Sequence, residues 1–381
     1  MAGIYIHVPY CRQACSYCNF HFSVSRRTQA DFINAICKEI GLQRTFFDSL
    51  HMEGGRPVLK TLYFGGGTPS ILSISDLLKI IGRLDACFSL DAVEEITLEA
   101  NPDDLTMEYL VALKQTRVNR LSIGIQSFHL SDLKYMNRVH SPAQAFQSIK
   151  NANRAGFENI SIDLIYGTPT MNDTMWRENL EYILDLGIPH ISAYALTVEN
   201  KTPLEYMIRK GRQAPVLDDH IARQFNIMQK MMQKYGYLHY EISNFALPGH
   251  FSKHNLSYWQ GVPYLGIGPS AHSYKNQQRF WNIANTSAYI DSVEKGESPH
   301  TSEILSETQA LNEYVMTSLR TMWGCDLDNV AARWGNTRVD AIRRMAQKFI
   351  DKGLLEEMGS NLIITAKGKL FADGIAADLF E

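Results

Sequence analysis

No stretch of this 381-residue chain holds the roughly 18 uninterrupted apolar residues that a membrane helix needs, so no transmembrane segment is expected. The opening Met1-Ala-Gly-Ile-Tyr-Ile-His-Val-Pro has no positively charged start and meets His7 and Pro9 before an apolar run reaches signal-peptide length. Basic excess is missing too. A formal net charge of −3 gives no electrostatic reason to expect nucleic acid. There is no low-complexity run or charge block to mark a disordered tail. Cysteine is scarce and unpatterned for disulfides: Cys37, Cys87 and Cys325 are scattered, and loops of three or four residues between the others are poor places for a structural bridge. These absences predict a reduced, cytoplasmic protein. A hydrophobic content of 45% lets it bury a large core.

What is present is alternation. Residues 3–8, 61–64, 94–99, 120–125, 159–164 and 190–196 read as short apolar strands, and 28–48, 75–88, 106–115, 142–155 and 174–186 carry helical spacing, with Ser75, Thr106 and Ser141 or Pro142 as starts. Six strand-helix repeats predict an α/β fold, a partial (β/α)6 barrel over residues 1–200, with a flat doubly wound sheet as the alternative. Residues 201–300 read as a connecting segment. Residues 301–381 read as a smaller helical, winged-helix-like domain, with helices over 307–323 and 338–352, a hairpin around Gly359-Ser360-Asn361 and a short helix from Lys367. From residue 301 onward there are nine Lys and Arg against twelve Asp and Glu, which excludes a DNA-reading role for that domain.

In both α/β arrangements ligands bind at the carboxyl ends of the strands. Those ends carry Tyr10 and three cysteines, then Gly65-Gly66-Gly67-Thr68-Pro69, Glu99-Ala-Asn-Pro, Gln126-Ser-Phe and Tyr166-Gly-Thr-Pro, with Asp163 just before the last. Polar, glycine-rich and ionisable groups therefore converge on one rim. Cys11, Cys15 and Cys18 stand at C-x3-C-x2-C spacing. A closed zinc site wants four ligands, and here the fourth would have to be His21 or a distant group. A [4Fe-4S] cube held by three thiolates keeps one iron open for a small molecule, and the spacing suits that reading.

The Cys11-x3-Cys15-Ser-Tyr17-Cys18 pattern after Tyr5-Ile-His7-Val-Pro9-Tyr10 resembles the radical S-adenosylmethionine (SAM) superfamily, in the branch of oxygen-independent coproporphyrinogen III oxidase. The likeness runs through the glycine motif, Gly124-Ile-Gln126, Asn137-Arg138 and Ile162-Asp163 into the carboxyl-terminal module. It implies a [4Fe-4S] cluster on Cys11, Cys15 and Cys18, with SAM as exchangeable ligand. By the same resemblance Tyr5 contacts SAM, Gly66, Gly67 and Thr68 border its methionine end, Glu99, Gln126 and Asp163 meet its amino group and ribose, and Arg138 pairs with its carboxylate. Acids, an amide and a guanidinium are the complement of a molecule carrying a cation, hydroxyls and a carboxylate.

Two departures separate the chain from the oxidases. Their further cysteine, two residues after the third ligand, is Phe20 here. The string His254-Asn-Leu-Ser-Tyr258-Trp259 matches the H-N-x-x-Y-W motif of the HemW haem chaperones. The resemblance then implies haem as a cofactor or cargo, His254 as its axial ligand with His250 as a lower-ranked competitor, and a haem-acceptor protein, membrane-associated or not, as partner. The alternatives are radical decarboxylation of coproporphyrinogen III through a 5′-deoxyadenosyl radical, or a radical SAM enzyme on another substrate. Phe20 and the His254 motif favour the chaperone.

Overall fold

The computed structural model describes residues 1–50 and 57–381. Six parallel strands lie side by side in chain order: β1 (Ala2–Val8), β2 (Leu59–Gly66), β3 (Glu95–Ala100), β4 (Arg120–Gln126), β5 (Asn159–Tyr166) and β6 (His190–Ala195). Helices Gln29–Leu42, Ile74–Phe88, Met107–Lys114, Pro142–Arg154 and Asp173–Asp185 connect them and cover the outer face. The sequence places these elements to within a few residues, except that the helix expected over 28–48 ends at Leu42, and two start signals act as expected. Thr106 accepts from the Tyr109 N–H, and Ser141 forms a reciprocal capping box with Gln144 ahead of Pro142. The second helix is capped by Ser73, which accepts from the Asp76 N–H at 3.1 Å, and not by Ser75.

Each strand buries two different faces. Ile4, Ile6, Leu62, Phe64, Leu98, Leu121, Ile123, Ile162 and Leu164 point outward into the helices and form the main core. The alternate positions, among them Thr61, Tyr63, Glu95, Thr97, Glu99, Arg120, Ser122, Asp163, His190 and Ser192, turn polar groups into the barrel. Most of them are buried and pair largely with one another, although Thr97 Oγ1 and Arg120 Nε have no hydrogen-bond partner among the described residues. Ser161 Oγ and the Tyr240 hydroxyl, for instance, hold the two ring nitrogens of His190 at 2.7 Å each.

Residues 201–300 do more than connect. β7 (Leu238–Glu241) and β8 (Asn244–Ala246) extend the sheet beyond β6, while β9 (Tyr264–Ile267), β10 (His272–Lys275), β11 (Gln278–Asn282) and β12 (His300–Ile304) extend it beyond β1, giving twelve strands. β9 is parallel to β1 and the strands beyond it are antiparallel. The last part builds its own core around Leu311, Val315, Leu319, Ile342 and Leu362. There, helices Glu307–Leu319, Leu327–Trp334 and Asn336–Ile350 pack on a small sheet of β13 (Cys325–Asp326), β14 (Leu355–Met358) and β15 (Asn361–Ile364). This is a winged-helix-like arrangement. Arg320 ties it to the barrel through Glu241 at 3.0 Å.

Candidate functional site

The loop after β1 is clamped at its neck, where Cys11 N–H donates to the Ser23 carbonyl at 3.0 Å and Ser23 N–H to the Pro9 carbonyl at 2.7 Å. Its far side is held by Ser16, which donates to the Met136 and Tyr135 carbonyls, and by the Asn137 amide on the Ala14 carbonyl at 2.7 Å. None of these bonds uses a thiol. Cys11, Cys15 and Cys18 are free, partly exposed, and line one cavity of about 510 Å³. Among the described residues no group of three His, Cys, Asp or Glu side chains is arranged around a single ion. A cube asks for something different, one thiolate on each of three irons.

Beneath the thiols the glycine loop closes in. Gly66 has φ of +112°, and a Cβ there would meet the His7 ring at 2.7 Å; a Cβ on Gly67 would meet the Tyr10 carbonyl at 2.7 Å and Cys11 Sγ at 3.0 Å. Only glycine lets the backbone lie this close to the thiol loop. Thr68 donates to Cys11 Sγ at 3.5 Å. Arg138 reaches Cys15 Sγ at 3.2 Å and is aimed by Asn101 Oδ1 at 2.7 Å and the Gly124 carbonyl at 2.9 Å. Gln126 sits in the left-handed region at φ +65°, at the irregularity where β4 shifts register against β5. Strain at a non-glycine residue beside a cavity is a mark of functional placement.

Two carboxyls complete the wall. Glu99 accepts from the Tyr63 hydroxyl at 2.7 Å and the Gly66 N–H at 3.1 Å, and burial, reinforced by nearby Asp163, pushes it up to about 7. Burial raises Asp163 to about 6 against a hydrogen bond from Ser122 at 3.2 Å. The Cys11 thiol rises to about 11, again mainly through burial. A cationic ligand would draw the proton from each of these groups.

Cys11, Cys15, Cys18, Gly66, Gly67, Thr68, Glu99, Gln126, Arg138 and Asp163 thus line the same cavity. Two expected residues do not. Tyr5 lies one layer below, under Gly65, with its hydroxyl 3.1 Å from His7 Nδ1. His254 does not fit the expected role of iron ligand in this geometry. It is 0% exposed, with Nδ1 at 2.8 Å from Thr61 Oγ1 and Nε2 at 2.7 Å from the Tyr258 hydroxyl, so both nitrogens are engaged at the far end of the barrel interior. Phe20 stands at the cavity mouth, 69% exposed. Asn101, Tyr17, Ser122 and Tyr194 also line the cavity and were not singled out from sequence. The period-two polar pattern of β4 and β6 and the Asn of Glu99-Ala-Asn-Pro were the available signals.

The radical SAM superfamily pattern matches residues 5–183 and the HemN C-terminal domain pattern residues 305–371. Among solved structures, coproporphyrinogen III oxidase (HemN) from Escherichia coli superposes with a TM-score of 0.85 at 20% identity, covering 100% of this chain and 90% of that one. That likeness is one of fold. Among characterised relatives, heme chaperone HemW from Bacillus subtilis is 33% identical, over 98% of both chains. The chain belongs to the HemW family of haem chaperones. A second HemW, from Lactococcus lactis, is 32% identical over 96% of this chain and 93% of its own. Family membership implies a [4Fe-4S] cluster and SAM through its radical SAM core, and the HemW relatives are named for haem. Among the described residues no helix is long and apolar enough to cross a membrane.

Proposed function

We propose that this chain holds a [4Fe-4S] cluster on Cys11, Cys15 and Cys18 with SAM as an exchangeable ligand in the same cavity, and that it takes up haem and passes it to an acceptor protein. The observation that carries this reading is the convergence of three free thiols, the glycine loop, Arg138, Glu99 and Asp163 on one cavity in a chain of the HemW family. The cluster, when bound and reduced, supplies an electron to the SAM sulfonium. The protein residues orient and neutralise. Arg138, fixed by Asn101 and the Gly124 carbonyl, presents a guanidinium to the SAM carboxylate. Thr68 and the Gly66–Gly67 backbone border its methionine end, and Glu99, Gln126 and Asp163 meet its amino group and hydroxyls. Phe20, in place of a thiol at the mouth, offers an apolar surface.

The test is anaerobic reconstitution followed by haem loading and incubation with an apo-haemoprotein. Appearance of the acceptor's own Soret spectrum, dependent on the chain, supports the reading; no transfer alongside decarboxylation of coproporphyrinogen III overturns it in favour of the oxidase.

A pH dependence is expected as well. With Glu99 near 7 and Asp163 near 6 before binding, a cationic ligand favours their ionised forms, so protons are released on binding below those values. SAM affinity should rise about tenfold from pH 6 to pH 8 through Glu99, most of it by pH 7 and levelling off above, with about a further twofold from Asp163, which is already half ionised at pH 6. Calorimetry at three pH values measures it, and Glu99→Gln should flatten the slope. A wild-type affinity unchanged across this range would remove both carboxyls from SAM recognition.

A further inference from the structure

The concave face of the sheet continues past β1. Tyr264 stands opposite Gly3 and Tyr274, His272 opposite Trp281, and Tyr274 opposite Arg279, which is itself opposite Glu303. Tyr264, His272, Arg279, Trp281 and Glu303 line a hollow of about 400 Å³ on this face. The His272 ring is exposed and stacks on Trp281, with centroids 6.4 Å apart and planes at 29°. Its nitrogens have no hydrogen-bond partner among the described residues. Burial and the neighbouring Arg279 lower its basicity, which leaves the imidazole neutral near pH 7. At the edge, Arg279 pairs with Glu303 at 3.2 Å and with Glu313.

We propose that this hollow binds haem, with His272 as the axial ligand to iron, Trp281 buttressing the imidazole and meeting the macrocycle at its edge, and Tyr264 beside it. The inference rests on the haem-chaperone reading and gives that reading a place. Haem is a flat apolar ring that needs an imidazole nitrogen at its centre and a cation near its propionates. The hollow offers each, and Arg279 takes a propionate by exchanging one of its two carboxylate partners. His254 offers no free nitrogen.

The six-residue motif then acts as the wall between the hollow and the cluster cavity. Tyr258 packs edge-on against Tyr264 with centroids 4.5 Å apart and binds His254 through its hydroxyl. His254 stacks on Tyr63 at 5.0 Å, and Tyr63 donates to Glu99. A continuous file of rings joins the two sites, so His254 is a positioning residue that holds Tyr63 and Tyr258 in place for both.

Ferric haem is titrated into the reconstituted full chain as wild type, His272→Ala and His254→Gln, with Soret and electron paramagnetic resonance spectra and iron, sulphide and SAM binding measured on each. His272→Ala is expected to weaken haem binding by at least about tenfold and to lose the imidazole-ligated spectrum, which added imidazole restores, while cluster content and SAM affinity stay unchanged. His254→Gln is expected to weaken haem affinity but to keep the imidazole-ligated spectrum at saturating haem, because it loosens the wall and leaves the ligand His272 in place. Unchanged haem binding in His272→Ala, or loss of the ligated spectrum in a folded His254→Gln, overturns the site while leaving the chaperone reading standing. Failure of the wild type to give any ligated haem spectrum overturns both.

Discussion

Replacing any one of Cys11, Cys15 or Cys18 by alanine is expected to leave a folded protein that retains almost no iron or sulphide after anaerobic reconstitution. The loop that carries them is shaped by backbone bonds of Cys11, Ser16 and Ser23 and by the Asn137 amide, not by sulphur contacts. The thiols accept a few hydrogen bonds, from Thr68 at 3.5 Å on Cys11, from Arg138 at 3.2 Å and Tyr17 on Cys15, and from the Phe20 N–H on Cys18. Removing one sulphur therefore costs the fold little. It leaves two protein ligands for a cube that needs three, and Arg138 loses the anionic neighbour that a Cys15 thiolate would provide. Cys37 and Cys87 sit elsewhere, packed against the main core, and their alanine variants serve as controls that keep full cluster content. Iron and sulphide analysis with melting curves decides the matter. A cysteine variant of the triad with wild-type iron content would break the ligand assignment.

How much of this could be read in the sequence differs between the two faces of each strand. The outward apolar runs, such as Ile4 and Ile6 or Leu121 and Ile123, announce strands and their covering helices, because burial against helices requires them whatever the chain does later. Most rim residues were legible because they stand at or just past the carboxyl end of a strand, and strand ends fall together in any parallel sheet; Arg138, beyond the helix Leu130–Tyr135, was placed through the family resemblance. The interior was less so. Tyr63, Glu95, Arg120 and His190 alternate with the apolar positions, yet their partners come from far along the chain: Thr61 with His254, His190 with Tyr240. A histidine in a haem-family motif reads as a ligand when considered alone. Only the fold reveals that Thr61 and Tyr258 already occupy it. Strands β9 to β12 were missed for a related reason: they are short, carry polar residues on the concave face, and become strands through pairing with β1 and with each other.

The buried pair that anchors the motif helix leads to the largest expected loss of stability. Glu95, 2% exposed, accepts from the N–H groups of Lys253 at 3.0 Å and His254 at 2.9 Å and faces Arg120, 1% exposed, at 3.9 Å. Ser252, the residue before this seven-residue helix, caps it only at 3.5 Å, so the carboxylate is the main acceptor for its first turn. Glu95→Ala would strand the buried His254 N–H and the part-buried Lys253 N–H and remove the carboxylate that the buried Arg120 guanidinium faces. The expected cost is about 3–5 kcal/mol, read by urea denaturation. Glu95→Gln keeps one acceptor oxygen and should cost less. Glu95→Ala combined with Arg120→Met should recover part of the loss, because the second change removes the uncompensated charge. A loss below about 1 kcal/mol in Glu95→Ala, or a double variant as unstable as the sum of the singles, would refute the anchor. If it holds, loosening Glu95 frees the helix Lys253–Trp259, and with it the His254 ring that packs Tyr63 against Glu99; SAM affinity should fall in the same variant even though Glu95 never touches the cavity.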